Sequence, residues 1–222
     1  MALKKSELKT PMLFILGAAS LLGLFSEYAV LAAEKLIYGK KYNEFSITES
    51  VTHWIIVCVL WGIVGLVLFY IAARVHSYDF MKKEYKPSER GVIIAIMLLS
   101  SSIGVKYLLL DGWQMAVDFR QQGWLQFIFL YIYYLFEAVL LLFGAAFFQE
   151  GCERLVKFES SHIPWGGAIL ALTWGLLRFF TTGDIKMALF YTAVAFFIGC
   201  AHLAAKKNMY ISYLFAAVLI IV

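Results

Sequence analysis

The sequence predicts an all-α fold, a polytopic transmembrane bundle of about seven helices that forms a single domain over residues 1–222. Two observations lead to this class. The chain is 62% hydrophobic and 15% charged, whereas a soluble domain has about 45–50% apolar and about 25% charged residues. The apolar residues also fall into long runs, and a helix of roughly 20 such residues spans a bilayer. This composition excludes a soluble enzyme, a disordered protein and a secreted disulfide scaffold.

The first predicted helix covers residues 12–33 and follows a basic start with Lys4, Lys5 and Lys9. Its apolar run is too long for the core of an ordinary signal peptide, and it contains Glu27. We therefore expect a retained helix rather than a cleaved signal.

The next two predicted helices cover residues 54–73 and 92–110. A polar loop separates them, and Asp111 with Gly112 ends the second one. Residues 111–123 then read as a short amphipathic connection that lies near the membrane interface.

The fourth apolar run, 125–148, is the longest, and an eighth helix is expected if residues 111–158 contain two. The remaining predicted helices cover residues 165–180, 187–205 and 210–222. The last run is short and has no polar flank, so the sequence leaves open whether it spans the bilayer.

Positive charges orient such a bundle, because cytoplasmic loops carry an excess of Lys and Arg. With the N-terminus in the cytoplasm, twelve basic residues lie inside: Lys4, Lys5, Lys9, Arg74, Lys82, Lys83, Lys86, Arg90, Arg154, Lys157, Lys206 and Lys207. Five lie outside: Lys35, Lys40, Lys41, Arg120 and Lys186. We therefore predict a multi-pass cell-membrane protein with a cytoplasmic N-terminus.

The cysteine and charge patterns indicate no cofactor. Cys58, Cys152 and Cys200 are scattered along the chain, which fits neither a disulfide framework nor a zinc motif. We expect no bound metal and no cofactor. No basic run is interleaved with aromatic residues, so we assign the net charge of +4 to the loops. The expected partner is the lipid bilayer and not a nucleic acid.

Four ionisable residues lie within the predicted helices: Glu27, Lys106, Glu137 and Arg178. A charge near the bilayer centre costs at least a few kcal/mol, so such residues pair tightly or serve a function. Their charges sum to zero, and in one interpretation they pair and fix the helix packing. In the other they line a polar cavity for water, an ion or a polar ligand. Ser102 precedes Lys106 by one turn and lies on the same helix face.

The segment that follows the fourth run carries a recognisable order of features. Residues 149–154 read Gln-Glu-Gly-Cys-Glu-Arg, in which Glu150 and Arg154 share one helix face. A second pair with this spacing is Glu153 and Lys157. Next come a loop, a helix opened by Pro164 and Trp165, a further apolar helix, a Lys-Lys-Asn break at 206–208 and a final apolar helix. Over roughly residues 124–222 this order resembles the CPBP family, the CAAX proteases and bacteriocin-processing proteins.

The resemblance implies a site on matched positions. The family motifs are Glu-Glu-x-x-x-Arg, Phe-x-x-x-His and His-x-x-x-Asn or Asp. Gln149 and Glu150 stand where the paired glutamates would be, and Arg154 stands at the motif arginine. Trp174 and Arg178 stand at the Phe and His places, and Phe215 and Leu219 fall near the last pair. The candidate catalytic residues are therefore Glu150, Arg154 and Arg178, and the candidate binding residues are Gln149, Glu137, Trp174 and Lys106.

The departures from the motif bear on activity. In the family the first glutamate is thought to activate the attacking water, and Gln149 has no basic carboxylate with which to do so. Phe215 can neither accept a proton nor donate a hydrogen bond. Arg178 is always charged, so it could stabilise an oxyanion but could not shuttle protons. We therefore expect a degenerate site without peptidase activity.

Three functions remain open. The first is a binding or regulatory protein whose protease-like cavity takes a peptide, a lipid or a partner membrane helix. The second is a divergent intramembrane peptidase with Glu150 as base and Arg178 as electrostatic stabiliser. It requires helix four to continue through Lys157, so that Glu150, Arg154 and Arg178 can meet in one cavity. The third is a small-solute transporter built around the four intramembrane charges.

Overall fold

The computed structural model describes residues 10–75, 89–109, 113–157 and 163–221. These ranges are helical and contain no strand, so the predicted all-α class is confirmed. They form seven helical rods: α1 (Thr10–Tyr38), α2 (Ile47–Tyr70), α3 (Glu89–Leu109), α4 (Gln114–Val156), α5 (Trp165–Leu170) continued by α6 (Leu176–Thr182), α7 (Ile185–Ala204) and α8 (Met209–Ile221). Five of them, α1 to α4 and α7, are long and apolar enough to cross a membrane. The chain thus has the build of a multi-pass membrane protein in a lipid bilayer.

Both helices of the first hairpin extend beyond the predicted apolar runs. The first continues to Tyr38 and the second begins at Ile47. Ser46 caps α2, because the Glu49 N–H donates to the Ser46 hydroxyl (3.4 Å) while the Ser46 N–H donates to the Glu49 carboxylate (2.6 Å). This reciprocal arrangement satisfies backbone donors that a helix start would otherwise leave open. The hairpin therefore includes polar residues beyond both apolar runs.

The fourth helix is longer than the apolar run that predicts it. It contains 43 residues, and Gly123 interrupts it with a φ of 72° and a ψ of 173°. A glycine adopts this conformation without steric cost. The predicted connection at 111–123 is therefore helical from Gln114 onward, and the break separates it from a long straight segment. The continuation of the helix past residue 150, which the pairing of Glu150 with Arg154 favours, is confirmed.

The long segment of α4 forms the centre of the bundle. It packs against α1, α2, α5, α7 and α8. Its middle is fully enclosed at Leu140, Leu141, Leu142, Ala145 and Phe147. By contrast α3 lies at the edge, mainly against α7 and α8. Any charged side chain that α4 turns toward its neighbours is therefore shielded from water.

Three glycines bring α5 into backbone contact with its neighbours. A Cβ on Gly166 would lie 2.0 Å from the carbonyl oxygen of Ala145, and one on Gly199 would lie 2.4 Å from the Cα of Gly167. Small residues permit this close approach between membrane helices. The contacts fix the position of the α5–α6 rod along α4, and that position decides which side chains of the two helices meet.

Candidate functional site

Six polar side chains from four helices meet inside the bundle, and we call them the acidic cluster: Glu27, Glu34, His53, Tyr133, Glu137 and Arg178. The first two come from α1, His53 from α2, the next two from α4 and Arg178 from α6. Sequence reasoning identified Glu27, Glu137 and Arg178. The other three join them through contacts that only the structure shows.

The outer part of the cluster joins α1 to α2 through His53. Glu27 and Glu34 are two helical turns apart and therefore lie on one face of α1. His53 is fully buried, with Nδ1 2.7 Å from Glu34 Oε2 and Nε2 3.7 Å from Glu27 Oε1. Glu34 is 3% exposed. The imidazole thus stands between two carboxylates, of which Glu34 is shielded from water by the packed helices.

The inner part of the cluster lies on α4. The Tyr133 hydroxyl donates to the Glu27 carboxylate, with both oxygens at 3.0 Å. One turn later Glu137, which is 3% exposed, forms an ion pair with Arg178. Tyr133 and Glu137 share a face because four residues separate them. The predicted pairing of intramembrane charges is therefore present between Glu137 and Arg178.

Aromatic rings hold the guanidinium of Arg178 in place. Its central carbon lies 4.9 Å from the ring centre of Trp174 and 5.1 Å from that of Tyr191. Such cation–π contacts contribute more when the cation is removed from water. A π-helical turn, Ala171–Gly175, precedes α6 and contains Trp174. Turns of this kind are frequent at functional sites because they rotate the side chains that follow.

A small cavity opens between Glu27, Glu137 and Arg178. Its volume is about 10 Å³, and Trp61 and Trp174 also line it. This is space for about one water molecule. The Trp61 indole N–H is buried and makes no hydrogen bond to any described residue. A water in this space would therefore meet a free donor as well as carboxylates.

Carboxylates outnumber cations around the cluster. The acidic cluster contains three glutamates, and Lys106, which lies outside it, acts on Glu137 through space. Within the cluster these three carboxylates stand against one permanent cation, Arg178. Protonation of His53 would leave one negative charge in excess. The acidic cluster is therefore rich in carboxylates even when His53 is protonated.

Lys106 lies apart from the ion pair. Its ammonium donates to the carbonyl oxygen of Ile220 (2.8 Å) and lies 5.9 Å from the ring centre of Phe190. Ser102 is buried on the same face of α3, as the spacing predicts. The four intramembrane charges thus do not form one mutually paired set, because Lys106 binds a helix end while Glu27 binds Tyr133.

The residues matched to the protease motif form a second polar group at the other end of α4. The Gln149 amide donates to Glu153 (2.6 Å) and to the Ile163 carbonyl (3.1 Å), and it accepts from the Gly166 N–H (3.1 Å). Glu153 forms an ion pair with Lys207. This pairing differs from the expected one with Lys157, because Lys157 leaves the helix in a left-handed conformation. The amide of Gln149 therefore joins α4 to the start of α5.

Glu150 and Arg154 lie on the outward face of this end. They pair with each other at 2.9 Å and keep 14% and 36% of their side chains exposed. Thirteen residues of α4 separate Glu150 from Glu137, which at 1.5 Å per residue is about 20 Å. Arg178 pairs with Glu137. The three predicted catalytic side chains therefore lie at two sites, Arg178 in the acidic cluster and Glu150 with Arg154 at the other end of α4, and they do not meet in one cavity.

The sequence did not point to Glu34, His53 or Tyr133 as site residues, and its spacing paired Glu153 with Lys157 rather than with Lys207. Two spacings carry a signal for some of them: Glu34 follows Glu27 by two turns, and Tyr133 precedes Glu137 by one turn. Nothing in the spacing indicates that His53 lies between the two glutamates of α1.

Comparison of the chain with protein families, with curated proteins and with solved structures gave no match. The resemblance to the CPBP family therefore stays a prediction. Among the described residues no three or more His, Cys, Asp or Glu side chains are grouped as they would be around a metal ion.

Proposed function

We propose that the protein is a proton-binding membrane protein of the transporter class, without peptidase activity, and that the acidic cluster holds the proton. The observation that carries this proposal is the excess of carboxylates over cations in the acidic cluster. An isolated charge inside the bilayer costs several kcal/mol, and a carboxylate avoids this cost when it takes a proton. Uptake and release of a proton at this depth is the elementary step of proton-coupled transport.

The size of the cavity favours a proton over the larger ligands considered from sequence. Space for about one water molecule accommodates a proton carried by water. A peptide, an acyl chain or a partner helix needs a far larger opening. At the acidic cluster these dimensions support a proton over a peptide or lipid, whereas the larger apolar cavity, of about 370 Å³, lies elsewhere, between α3 and α7.

Two features weigh against peptide hydrolysis. Gln149, at the position of the catalytic base, uses its amide in hydrogen bonds that hold α4 to α5. Glu150 could replace it as base only with an electrostatic stabiliser nearby, and Arg178 is about 20 Å away along α4. The divergent-peptidase alternative therefore lacks an assembled site.

The orientation is proposed on charge alone. Twelve basic residues on one side against five on the other favour a cytoplasmic N-terminus in the cell membrane. In that orientation the connection between α1 and α2 faces outward, and the Gln149 end of α4 faces the cytoplasm.

Infrared spectroscopy of the purified protein tests the proposed function. At neutral pH we expect the carbonyl band of a protonated carboxylic acid, because the cluster cannot keep all of its carboxylates charged. The substitutions Glu27→Gln and Glu137→Gln, singly and together, should shift or remove this band. The matched control is Glu150→Gln, which removes a carboxylate of α4 outside the acidic cluster and should leave the band unchanged. A wild-type spectrum without the band, or a band unaffected by the cluster substitutions, would overturn the proposal.

A further inference from the structure

His53 has one ring nitrogen for each of two carboxylates. Its Nδ1 is 2.7 Å from Glu34, within hydrogen-bond distance, whereas its Nε2 is 3.7 Å from Glu27 and makes no hydrogen bond within the described ranges. Glu34 Oε1 is likewise buried with no hydrogen bond among those residues. A small movement of either side chain would close the longer gap. The imidazole therefore lies between Glu34 and Glu27, with a hydrogen bond to Glu34 and none to Glu27.

The line of Glu34, His53 and Glu27 begins just below the surface. Tyr42, in the connection between α1 and α2, is 44% exposed, and its ring centre lies 5.3 Å from that of His53. Burial, together with the negative charges of Glu27 and Glu34, raises the pKa of Tyr42 to about 12. Its hydroxyl therefore stays neutral at physiological pH. The groups that face His53 are thus the two glutamates of α1 and a neutral phenol that covers them.

The line continues inward to the ion pair. Glu27 accepts from Tyr133 and lines the same small cavity as Glu137. One water in that cavity would connect the two carboxylates, with Arg178 beside them and Lys106 acting on Glu137 through space. Between Glu34 and Glu137 a proton would therefore pass only between adjacent titratable groups or across a cavity of about the size of one water molecule.

We propose that Glu34 and His53 form the route by which a proton reaches Glu27 from the surface at the α1–α2 connection. This inference rests on the proposed function, since it names the entry to the same proton site. From the tautomer protonated at Nε2, a proton passes from the Glu34 carboxyl to Nδ1, and the Nε2 proton passes to the Glu27 carboxylate. One O–H and one N–H bond break, one of each forms, and the ring changes tautomer.

The test is the rate at which the cluster takes up a proton after a rapid drop in pH. The rate is followed by the infrared band of the protonated carboxyl. In His53→Gln the ring that relays the proton is absent, and we expect uptake roughly 100-fold slower, the scale of positioned acid–base groups. The matched control is His202→Gln, which removes another buried histidine, one bonded to Ser212. It should leave the rate unchanged.

A second variant covers the case in which His53→Gln does not fold. Glu34→Gln keeps the hydrogen bond to His53 but cannot deliver a proton, so it should slow uptake to a similar degree. Uptake in either variant at the wild-type rate would overturn the route. Failure of the proposed function would look different, because the wild-type protein would then show no protonated-carboxyl band to follow.

Discussion

A double-mutant cycle on Glu137 and Arg178 measures how much the buried ion pair contributes to stability. Removing one partner of a buried pair costs about 3–5 kcal/mol, because the other charge stays buried and uncompensated. Arg178 keeps 20% of its side chain exposed and retains two aromatic neighbours, so we take the lower end. We expect about 3 kcal/mol each for Glu137→Gln and Arg178→Met. The double variant removes both partners of this pair and should lose about 3–4 kcal/mol, which makes the coupling energy about 2–3 kcal/mol.

The matched control lies on the same helix. Glu150 and Arg154 form an ion pair of helical spacing on the outward face of α4. Pairs of this kind contribute about 0.5 kcal/mol. The same cycle with Glu150→Gln and Arg154→Met should therefore give a coupling several times smaller than that of the buried pair. The two cycles differ in burial while the charge types are the same.

Equilibrium unfolding in mixed detergent micelles, with SDS as the denaturant, provides the free energies for both cycles. The coupling energy of Glu137 with Arg178 should exceed that of Glu150 with Arg154. Equal couplings, or a double variant that loses the sum of the two single losses, would refute it. Either result would mean that Arg178 and Glu137 do not depend on each other for compensation.

Two further predictions concern packing and orientation. Gly166→Ala places a Cβ against a carbonyl and should lower the unfolding free energy by about 3 kcal/mol, whereas Gly104→Ala, which enters open space, should not lower it. Equal stability of the two variants would refute the close contact between Gly166 and Ala145. With the native cysteines replaced, Lys40→Cys should react with an impermeant maleimide from outside the cell, and Lys206→Cys only after the membrane is opened. The reverse pattern would contradict a cytoplasmic N-terminus.

The charges of the cluster could be predicted from sequence only where they interrupt an apolar run. Glu27, Glu137 and Arg178 stand within such runs. Glu34 and His53 stand one residue beyond the predicted helices 12–33 and 54–73. Apolar runs end at the first polar residues, but the helices continue past them. Ser46 and Glu49 form a capping sequence, and this pattern indicates that α2 begins more than one turn before His53.

The partner of each charge could not be predicted, because it depends on the register between helices. Gly123 and the π turn at Ala171–Gly175 both alter where later residues lie, and neither follows from hydropathy. The buried position of Ser102 beside Lys106 was predictable, since both belong to one helix and their spacing alone decides it. Contacts within a helix are therefore accessible from sequence, and contacts between helices are not.

One contact between helices fixes the register from which the Arg178 position follows. The Gln149 side chain accepts from the Gly166 N–H, and the Gly166 backbone abuts Ala145 one turn away, so Gly166 lies within about one turn of Gln149 on the antiparallel helices α4 and α5. Twelve residues lead from Gln149 back to Glu137, and twelve lead from Gly166 on to Arg178. In antiparallel helices of equal rise, two residues that are the same number of positions from a contact lie at similar depth. Here that distance is about 18 Å from the contact. Glu137 is therefore the acid of α4 that lies within about one turn of the depth of Arg178.

The same register separates Glu150 from Arg178. A site that combined them would require α6 to slide along α4 by about twelve residues. The backbone contact of Gly166 with Ala145, where a Cβ would lie 2.0 Å from the carbonyl oxygen, leaves no space for that movement. The order of residues that resembles the protease motif therefore places its acid and its arginine at opposite ends of the bundle. Arg178 is instead paired with Glu137 of α4 and lies beside Glu27 of α1.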